Sequence, residues 1–472
     1  MSGAGDGAWA PNRRLLTVGL IGLVTAAAFE GMAVPTVLPA MVDDLGGLGL
    51  YGWAFAAFWL TNIVGITLAG SDADLRGPAR ALAIGVVLFA LGMVVAGVAS
   101  GMPLVIAGRA IQGFGSGAIG SVVYAAIARA YPASVTPRMI ALVSSAWVVP
   151  GLVGPALAGT VSDAIGWRWV FLAIVPPVLL MGLAVYPQLA RLGRAEQSTS
   201  PMRGAGQRAL DAIRLAVGST LVLAALTVSL LPLAVALAVG GGWLAIGALR
   251  HLLPAGALRL EAGRPAVPVV VFGVAFALFG TEAFVPLTVV EVRGGSVTLG
   301  GVALSAAAVT WAIGSWLQDR AAAAGIRRAL VTIGAALIGV GIGVASLVLI
   351  PAMPVFMAAI GWAVAGLGMG LAYSMLALIM LETSAPGEEG FSSSAVQLMF
   401  TLGTALGAGV GGAVVALSDT GIISLRSALA VVFGIMAVVA LLTVTVSLRV
   451  PRGPADMKAP RRPLTAAPLE HP

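Results

Sequence analysis

Long apolar runs limit this sequence to one kind of fold. Residues 81–99, 330–350 and 428–446 are three of the clearest runs. A run of about 18 or more mostly apolar residues spans the hydrocarbon core of a bilayer as a helix. A spanning segment must be a helix or a strand of a closed barrel, because lipid offers the backbone no hydrogen bonds. Barrel strands alternate in polarity, and these runs do not. The sequence therefore predicts an all-α polytopic membrane protein.

Composition supports that prediction. The 472 residues are 59% hydrophobic and only 10% charged, with a mean hydropathy of +1.03. A soluble protein of this size needs far more charge to cover its surface. The chain has no cysteine, which excludes disulfides, thiolate metal sites and cysteine nucleophiles. His251 and His471 both lie outside the predicted spans, which argues against a histidine metal site or catalytic triad, and no cofactor is expected.

The apolar runs divide into about fourteen predicted spans. They are residues 15–38, 51–70, 81–99, 103–127, 139–160, 168–187, 215–230, 232–249, 267–289, 299–317, 329–350, 354–381, 392–417 and 424–448. The stretch 215–249 allows two interpretations, because Ser229 and Pro232 interrupt it near its middle. It forms either two spans or one bent hairpin that does not fully cross.

An internal repeat organises the spans. Glu30 and Glu282 lie about 252 positions apart, and each is followed shortly by a proline. The alternating glycines of 113–117 recur at 366–370, in the same chain order. Two repeats with a substrate site between them at the bilayer midplane are a known transporter design.

The repeat predicts a division of the chain into five parts. They are a cytoplasmic N-terminus (1–14), a six-helix bundle (15–187), a cytoplasmic linker with two inserted helices (188–266), a second six-helix bundle (267–448) and a disordered cytoplasmic tail (449–472). The tail is rich in proline and arginine and cannot bury a core.

Charge sets the predicted orientation. The net charge of +7 is carried almost entirely by arginines in alternate loops, such as those at Arg76, Arg129 and Arg191. Positively charged loops stay in the cytoplasm. Both termini are therefore predicted to be cytoplasmic, in a multi-pass protein of the cell membrane. This distribution also makes a nucleic-acid partner unnecessary as an explanation of the charge.

Four charged or polar residues within spans are the first candidates for transport chemistry. A carboxylate such as Glu30 or Glu282 is costly at the midplane, and taking up a proton removes that cost. Arg109 cannot lose its proton in this way, so it must find carboxylate or carbonyl partners. Gln112, one helical turn later, is placed to share that network. We therefore expect Glu30, Glu282, Arg109 and Gln112 to couple proton movement to transport.

Three segments carry a family resemblance. Residues 70–80 (GSDADLRGPAR) resemble the loop motif G-x-x-x-D-R-x-G-R-R of the major facilitator superfamily, with Gly70, Asp74 and Gly77 matching. Residues 109–115 (RAIQGFG) are similar to its R-x-x-Q-G-x-G element. Residues 150–159 (PGLVGPALAG) look like its antiporter motif G-x-x-x-G-P-x-x-G-G. Together they resemble the fourteen-span drug/proton antiporters of that superfamily.

The resemblance implies two six-helix bundles plus two inserted helices, and a transporter rather than an enzyme. It also implies roles for two sets of residues in the conformational cycle, namely Gly70, Asp74, Gly77 and Arg80 in the loop and Pro150, Gly151, Gly154, Pro155 and Gly159 in the fifth span. Asp74 and Arg80 are expected to form a cytoplasmic latch in the outward-open state. Candidate residues of the substrate cavity are Trp53, Phe58, Asn62, Trp147, Trp311 and Gln397.

These observations predict a proton-coupled antiporter that exports drugs or other small amphipathic molecules by alternating access, with the lipid bilayer as its surroundings. No phosphate-binding glycine-rich loop is present, so the proton gradient rather than ATP is the expected energy source. An uptake symporter and an exporter of a specific metabolite or lipid are alternatives on the same fold. A membrane enzyme or scaffold and a passive channel are more distant alternatives.

Overall fold

The computed structural model describes residues 7–452 apart from 12, 133, 193–204, 323–325 and 386–387. His471, the tail from residue 453 and the middle of the predicted linker lie outside the described residues. The fold within the described part is all-α, as the apolar runs predict. The chain is a multi-pass membrane protein.

Fourteen long helices follow one another along the described part of the chain. The first half of the molecule consists of α1 (Arg14–Leu45), α2 (Tyr51–Arg76), α3 (Pro78–Gly97), α4 (Met102–Ala130), α5 (Thr136–Ile165) and α6 (Arg168–Arg191). An inserted pair follows, α7 (Ala205–Ala225) and α8 (Leu231–Leu252). The second half consists of α9 (Ala266–Val292), α10 (Val297–Ala322), α11 (Arg327–Leu349), α12 (Met357–Glu382), α13 (Glu389–Asp419) and α14 (Leu425–Ser447).

Thirteen of these helices are long and apolar enough to cross a membrane by length and composition. The exception is α7, in which every window of 18 residues contains Arg208, Asp211 and Arg214. Consecutive helices run in opposite directions. We call the end of the bundle where α1 begins and α14 ends the terminus side, and the opposite end the far side.

Three predicted spans are broken. α5 consists of Thr136–Ser145 and Val148–Ile165, and α6 of Arg168–Leu172 and Val175–Arg191. Both second segments begin one or two residues before a proline, which fits the first turn of a helix because the N–H that proline lacks is not needed there. In α9 the regular helix ends at Glu282 and gives way to a π-helical turn at Thr288–Val292. Such turns are frequent at functional sites.

The glycine repeat packs in the same way in both halves. A Cβ atom at Gly113 or Gly117 would meet the α2 backbone, and one at Gly115 would meet α3. In the second half, Gly366 and Gly370 approach α10, and Gly368 approaches α11. α4 and α12 are therefore wedged between equivalent helices, because only glycine permits so close an approach of backbones.

The inserted pair forms two separate antiparallel helices. A Cβ atom at Gly218 would lie 2.6 Å from the carbonyl oxygen of Gly241. His251, predicted outside a span, lies in the last turn of α8, where its Nδ1 is 3.2 Å from Oδ2 of the buried Asp211. α7 also packs against α2 and α13, which belong to different halves.

The two halves meet at the far side along two seams, α2 with α13 and α5 with α10. In the first seam a Cβ atom at Gly52 would lie 2.5 Å from Cα of Gly412. Gly49 N donates to Oδ2 of Asp419 at 3.2 Å. In the second seam, the backbone N and Oγ1 of Thr298 donate to Oδ2 of Asp163 at 3.0 and 2.7 Å. These contacts close the far side.

Candidate functional site

A buried charged network lies in the first half, where α1, α2 and α4 meet. Arg109 and Glu30 are each only 1% exposed, and Nη1 of Arg109 forms an ion pair with Oε1 of Glu30. The same nitrogen donates to Oε1 of Gln112 at 2.8 Å. Nε of Arg109 donates to the carbonyl oxygen of Ala54 at 3.1 Å. The guanidinium also lies over the ring of Phe58, 4.2 Å from its centroid.

The guanidinium of Arg109 on α4 links α1 and α2 to α4 through a charge that it cannot lose. Arginine keeps its charge in proteins, so Arg109 needs the carboxylate, two carbonyl oxygens and a ring face around it. A buried ion pair that loses one partner leaves the other charge uncompensated, at a cost of about 3–5 kcal/mol. Oε2 of Glu30 and Nε2 of Gln112 are buried without a hydrogen-bond partner in the described part of the chain. Oε2 is thus an oxygen to which a proton can add without displacing the bond from Arg109.

Small residues hold the network in place. Gly92 of α3 lies against the Gln112 backbone, where a Cβ atom would come 2.6 Å from Cβ of Gln112. On the other side of α4, Gly113 lies against the carbonyl oxygen of Phe58. Both contacts press α4 into the bundle, so Arg109 projects into a space lined by protein rather than lipid.

Glu282 has a different environment at the equivalent position of the second half. It lies at the end of the regular part of α9 and is half-buried. Its carboxylate has no ion pair or hydrogen bond within the described residues. The glycine repeat aligns Arg109 with Trp362, which is 1% exposed. The second half therefore places an apolar ring where the first half places the cation.

Four aromatic rings meet within the second half. Phe279, Trp311, Tyr373 and Phe400 come from α9, α10, α12 and α13, and each ring contacts two others. Neighbouring centroids are 5.0 to 6.4 Å apart. We call these four residues the aromatic quartet. Sequence reasoning named only Trp311, because isolated aromatic residues in apolar spans carry no signal of their own. The one available signal is that Phe279 precedes Glu282 by one helical turn.

The other predicted cavity residues are buried, half-buried or exposed. Phe58 and Asn62 are buried within the first half, where Nδ2 of Asn62 donates to the carbonyl oxygen of Gly113 at 3.3 Å. Trp53 is half-buried on α2. Trp147 lies at the break of α5 and is 44% exposed, and Gln397 is exposed on α13.

The predicted loop motif lies where α2 ends and α3 begins. Gly77 adopts φ +93°, a conformation that favours glycine, whereas Gly70 near the end of α2 lies against Oγ of Ser121. Asp74 pairs with Arg129 of α4 at 3.1 Å, and Arg80 lies 3.8 Å from Asp72. The expected Asp74–Arg80 latch is thus not formed in this conformation.

The predicted motif of α5 lies against both α1 and the second half. Gly151 faces Ala308 and Met32, and a Cβ atom at Gly154 would lie 3.4 Å from the ring of Phe29. Gly159 lies against the backbone of Thr298. Pro150 is in the first turn of the second segment of α5, and Pro155 lies inside it with its carbonyl oxygen against Gly301. The motif forms the α5–α10 seam.

Comparison with protein-family models matches residues 19–358 to the family described as Major Facilitator Superfamily. Among curated proteins, an uncharacterized MFS-type transporter of Mycobacterium tuberculosis is 29% identical over 429 residues, covering 87% of this chain and 61% of that protein. The chain thus spans about three fifths of the length of that relative. The multidrug transporter protein MdtP of Bacillus subtilis is 25% identical over 430 residues, covering 85% and 75%. A probable multidrug-efflux transporter of M. tuberculosis is 26% identical over 436 residues, covering 89% and 91%.

Solved structures share the fold. An inward-facing bacterial homolog to the human lysosomal transporter Spinster superposes with a TM-score of 0.65 at 15% identity, covering 93% of this chain and 98% of the other. A D-xylose-proton symporter superposes with a TM-score of 0.61 at 16% identity, covering 92% and 98%.

Proposed function

The chain belongs to the Major Facilitator Superfamily, and from that premise we propose that it is a proton-coupled antiporter of the fourteen-span drug/proton type. It exports drugs or other small amphipathic molecules by alternating access. Glu30 exchanges the proton within its network with Arg109 and Gln112, and Glu282 faces the transport path. The observation that carries this proposal is the buried ion pair between Glu30 and Arg109.

The ion pair offers a direct way to couple protons to helix movement. When a proton adds to Glu30, the charge attraction that holds α1 to α4 is lost, although a neutral hydrogen bond can remain. Arg109 then keeps only the carbonyl oxygens of Ala54 and Gln112 and the ring of Phe58. Because α1 also packs against α5 and α10, a change in its position acts on the seam between the halves.

The far-side seams are suited to opening and closing. They consist of close backbone contacts at small residues and a few hydrogen bonds, including that from the hydroxyl of Tyr51 to the carbonyl oxygen of Ala283 at 2.7 Å. Each such hydrogen bond contributes only about 0.5–1.5 kcal/mol net. The free energy released by one protonation and one substrate-binding event can therefore offset the cost of separating the seams.

The orientation proposed is cytoplasmic for the terminus side, in the cell membrane. Arginines concentrate there, as the positive-inside rule requires. The acidic residues that break the pattern are paired, since Glu382 forms an ion pair with Arg327, and Glu388 lies 2.7 Å from Arg264. A molecule closed at the far side is then ready to accept a substrate from the cytoplasm, which is the loading state of an exporter.

The names of two relatives support export of drugs. MdtP is a multidrug transporter protein, and the M. tuberculosis relative at 26% identity is a probable multidrug-efflux transporter. We take a small amphipathic molecule as the substrate on that basis, with the α5 motif as the sequence feature that favours antiport over uptake.

The experiment is reconstitution of the full chain in proteoliposomes that contain a pH-sensitive dye. Adding ethidium should release protons from loaded vesicles in the wild type, and an imposed proton gradient should drive ethidium against its own gradient. The Glu30→Gln variant should reduce both fluxes to the level of empty vesicles, because its side chain cannot exchange a proton.

The matched control is Glu291→Gln, which makes the same change at an exposed position of α9 and should transport normally. Undiminished proton flux in Glu30→Gln would remove Glu30 from the mechanism. Proton and ethidium movement in the same direction would replace the antiporter by a symporter.

A further inference from the structure

We propose that a groove between α11 and α14 is a binding site for an anionic phospholipid. The groove lies at the terminus side and has a volume of about 440 Å³, which suits a small ligand. Arg328 and Arg452 line it together with apolar side chains. Such a site is independent of proton coupling and of the direction of transport.

The surroundings of the groove place it on the lipid-facing surface of the second half. α11 packs chiefly against α12 and α14, and α14 against α11 and α9, which are all helices of that half. Ile326, Ile333 and Leu448 line the groove and are 46%, 50% and 55% exposed. Exposed apolar side chains on the outer surface of a membrane-spanning bundle contact acyl chains. The groove is therefore open to lipid.

Two guanidinium groups give the groove its charge. Arg328 is the second residue of α11, and Arg452 follows the end of α14. A guanidinium donates two parallel hydrogen bonds to a phosphate, so charge and geometry both favour the contact. α11 begins at Arg327, which places the positive end of its dipole at the same end of the groove. The described residues that line the groove include no carboxylate. The groove therefore favours an anion.

Hydrogen bonds hold the two arginines in place. Nε of Arg328 donates to the carbonyl oxygen of Val450 at 2.6 Å. Val450 is fully buried, and Nη1 of the neighbouring Arg449 donates to the carbonyl oxygen of Leu260 at 2.7 Å. The segment that leads from α14 to Arg452 is thus fixed across the terminus-side end of the second half. Groups positioned in advance bind more tightly, because less ordering is needed when the ligand arrives.

Apolar side chains continue from the groove toward the bilayer centre on both helices. Val340 lies seven residues after Ile333, on the same face of α11. Leu441 lies seven residues before Leu448, on the same face of α14. Val340 and Leu441 are 55% and 62% exposed. A phosphate bound at the arginines therefore leaves the acyl chains of its lipid free to lie along these two rows.

The combination favours a phospholipid over a soluble anion. A soluble anion such as phosphate uses only the two cations, whereas a phospholipid also covers the exposed apolar walls. The chain beyond residue 452 has three basic and two acidic side chains, so these side chains bring no net negative charge to the groove. Basic pockets between membrane-spanning helices are suited to anionic lipid headgroups.

The test is native mass spectrometry of the delipidated full chain in detergent. The protein is titrated with palmitoyl-oleoyl phosphatidylglycerol or with the zwitterionic phosphatidylcholine of the same acyl chains. The wild type should bind the first phosphatidylglycerol at least about fivefold more tightly. Arg452→Gln should weaken phosphatidylglycerol binding about fivefold, and Arg328→Gln/Arg452→Gln about 25-fold, because each arginine contributes separately to the attraction.

Two further variants separate the charge of the groove from the fold. Ala329→Glu changes an exposed residue of the groove and retains both arginines. Its carboxylate should weaken phosphatidylglycerol binding about tenfold by repulsion of the headgroup. Arg250→Gln removes an exposed arginine at the terminus-side end of α8 and should bind within about twofold of the wild type. All variants are compared by size-exclusion profile and thermal midpoint.

Phosphatidylglycerol affinities of Arg452→Gln and Ala329→Glu that both stay within about twofold of the wild type would overturn the site. So would equal affinity of the wild type for phosphatidylglycerol and phosphatidylcholine. Displacement of the bound lipid by an excess of glycerol phosphate would assign the groove to a soluble anion instead. An equal loss of affinity in Arg250→Gln would show that general surface charge, rather than the groove, attracts the lipid.

Discussion

The two halves of this molecule use the same helix positions for different electrostatics. Glu30 in the first half is buried and held by Arg109, whereas Glu282 in the second half is half-buried and has no partner within the described residues. The glycines that wedge α4 and α12 into their bundles are repeated, but the arginine is replaced by Trp362. Duplication of a backbone arrangement therefore does not duplicate its charges, and each carboxylate has to be judged by its own neighbours.

The largest effect is expected from removing the cation of the first half. Arg109→Gln leaves Glu30 buried without its counter-charge, which should lower the free energy of unfolding by about 3–5 kcal/mol and abolish transport. The measurement is thermal unfolding in detergent together with the proteoliposome assay.

The double variant Glu30→Gln/Arg109→Gln should regain most of the stability but no transport, since both charges are then gone. Equal stability of Arg109→Gln and the wild type would contradict the environment assigned to Glu30.

A disulfide across the far side should slow transport by preventing the halves from separating. A Cβ atom at Gly49 would lie 3.8 Å from Cβ of Asp419, a spacing that suits a disulfide, and the chain has no other cysteine. Oxidised Gly49→Cys/Asp419→Cys should transport at least about tenfold more slowly than the reduced protein, because the halves cannot separate.

Reduction with dithiothreitol provides the control. Transport that persists after complete oxidation would show that the far side is not the gate.

The smallest effect is expected from the ring beside the guanidinium. Phe58→Leu removes the cation–π contact with Arg109 but keeps an apolar side chain, so the cost should be about 1–2 kcal/mol. Thermal unfolding measures it. In an Arg109→Gln background the same substitution should cost less, and an unchanged cost there would attribute the effect to packing alone.

Part of this picture follows from residue types alone. The apolar runs predict helices, and an arginine within a span requires acceptors. The carboxylate that pairs with Arg109 is Glu30, 79 positions away along the chain. Only the packing of α1 on α4 brings the two side chains together. The breaks in α5 and α9 could not be predicted, because a proline signals a bend without fixing where the helix restarts. Phe279, Tyr373 and Phe400 could not be distinguished from other aromatic residues, since what sets them apart is their mutual contact.

The ion pairs around Asp74 illustrate a second limit. Four charged residues lie within 72–80, and a sequence cannot choose among their pairings. Helix packing decides, because α4 brings Arg129 to Asp74 and leaves Asp72 to Arg76 and Arg80. Exposed pairs of this kind contribute little, so their arrangement changes readily between conformations.

The inserted pair is mechanically coupled to one seam between the halves. α7 touches α2 and, through Leu223 beside Gly409, also α13, so a single helix lies across the line along which the two halves meet. Parting α2 from α13 must therefore break contacts of α7 with at least one of them, and the inserted pair adds its own packing energy to the cost of opening that seam.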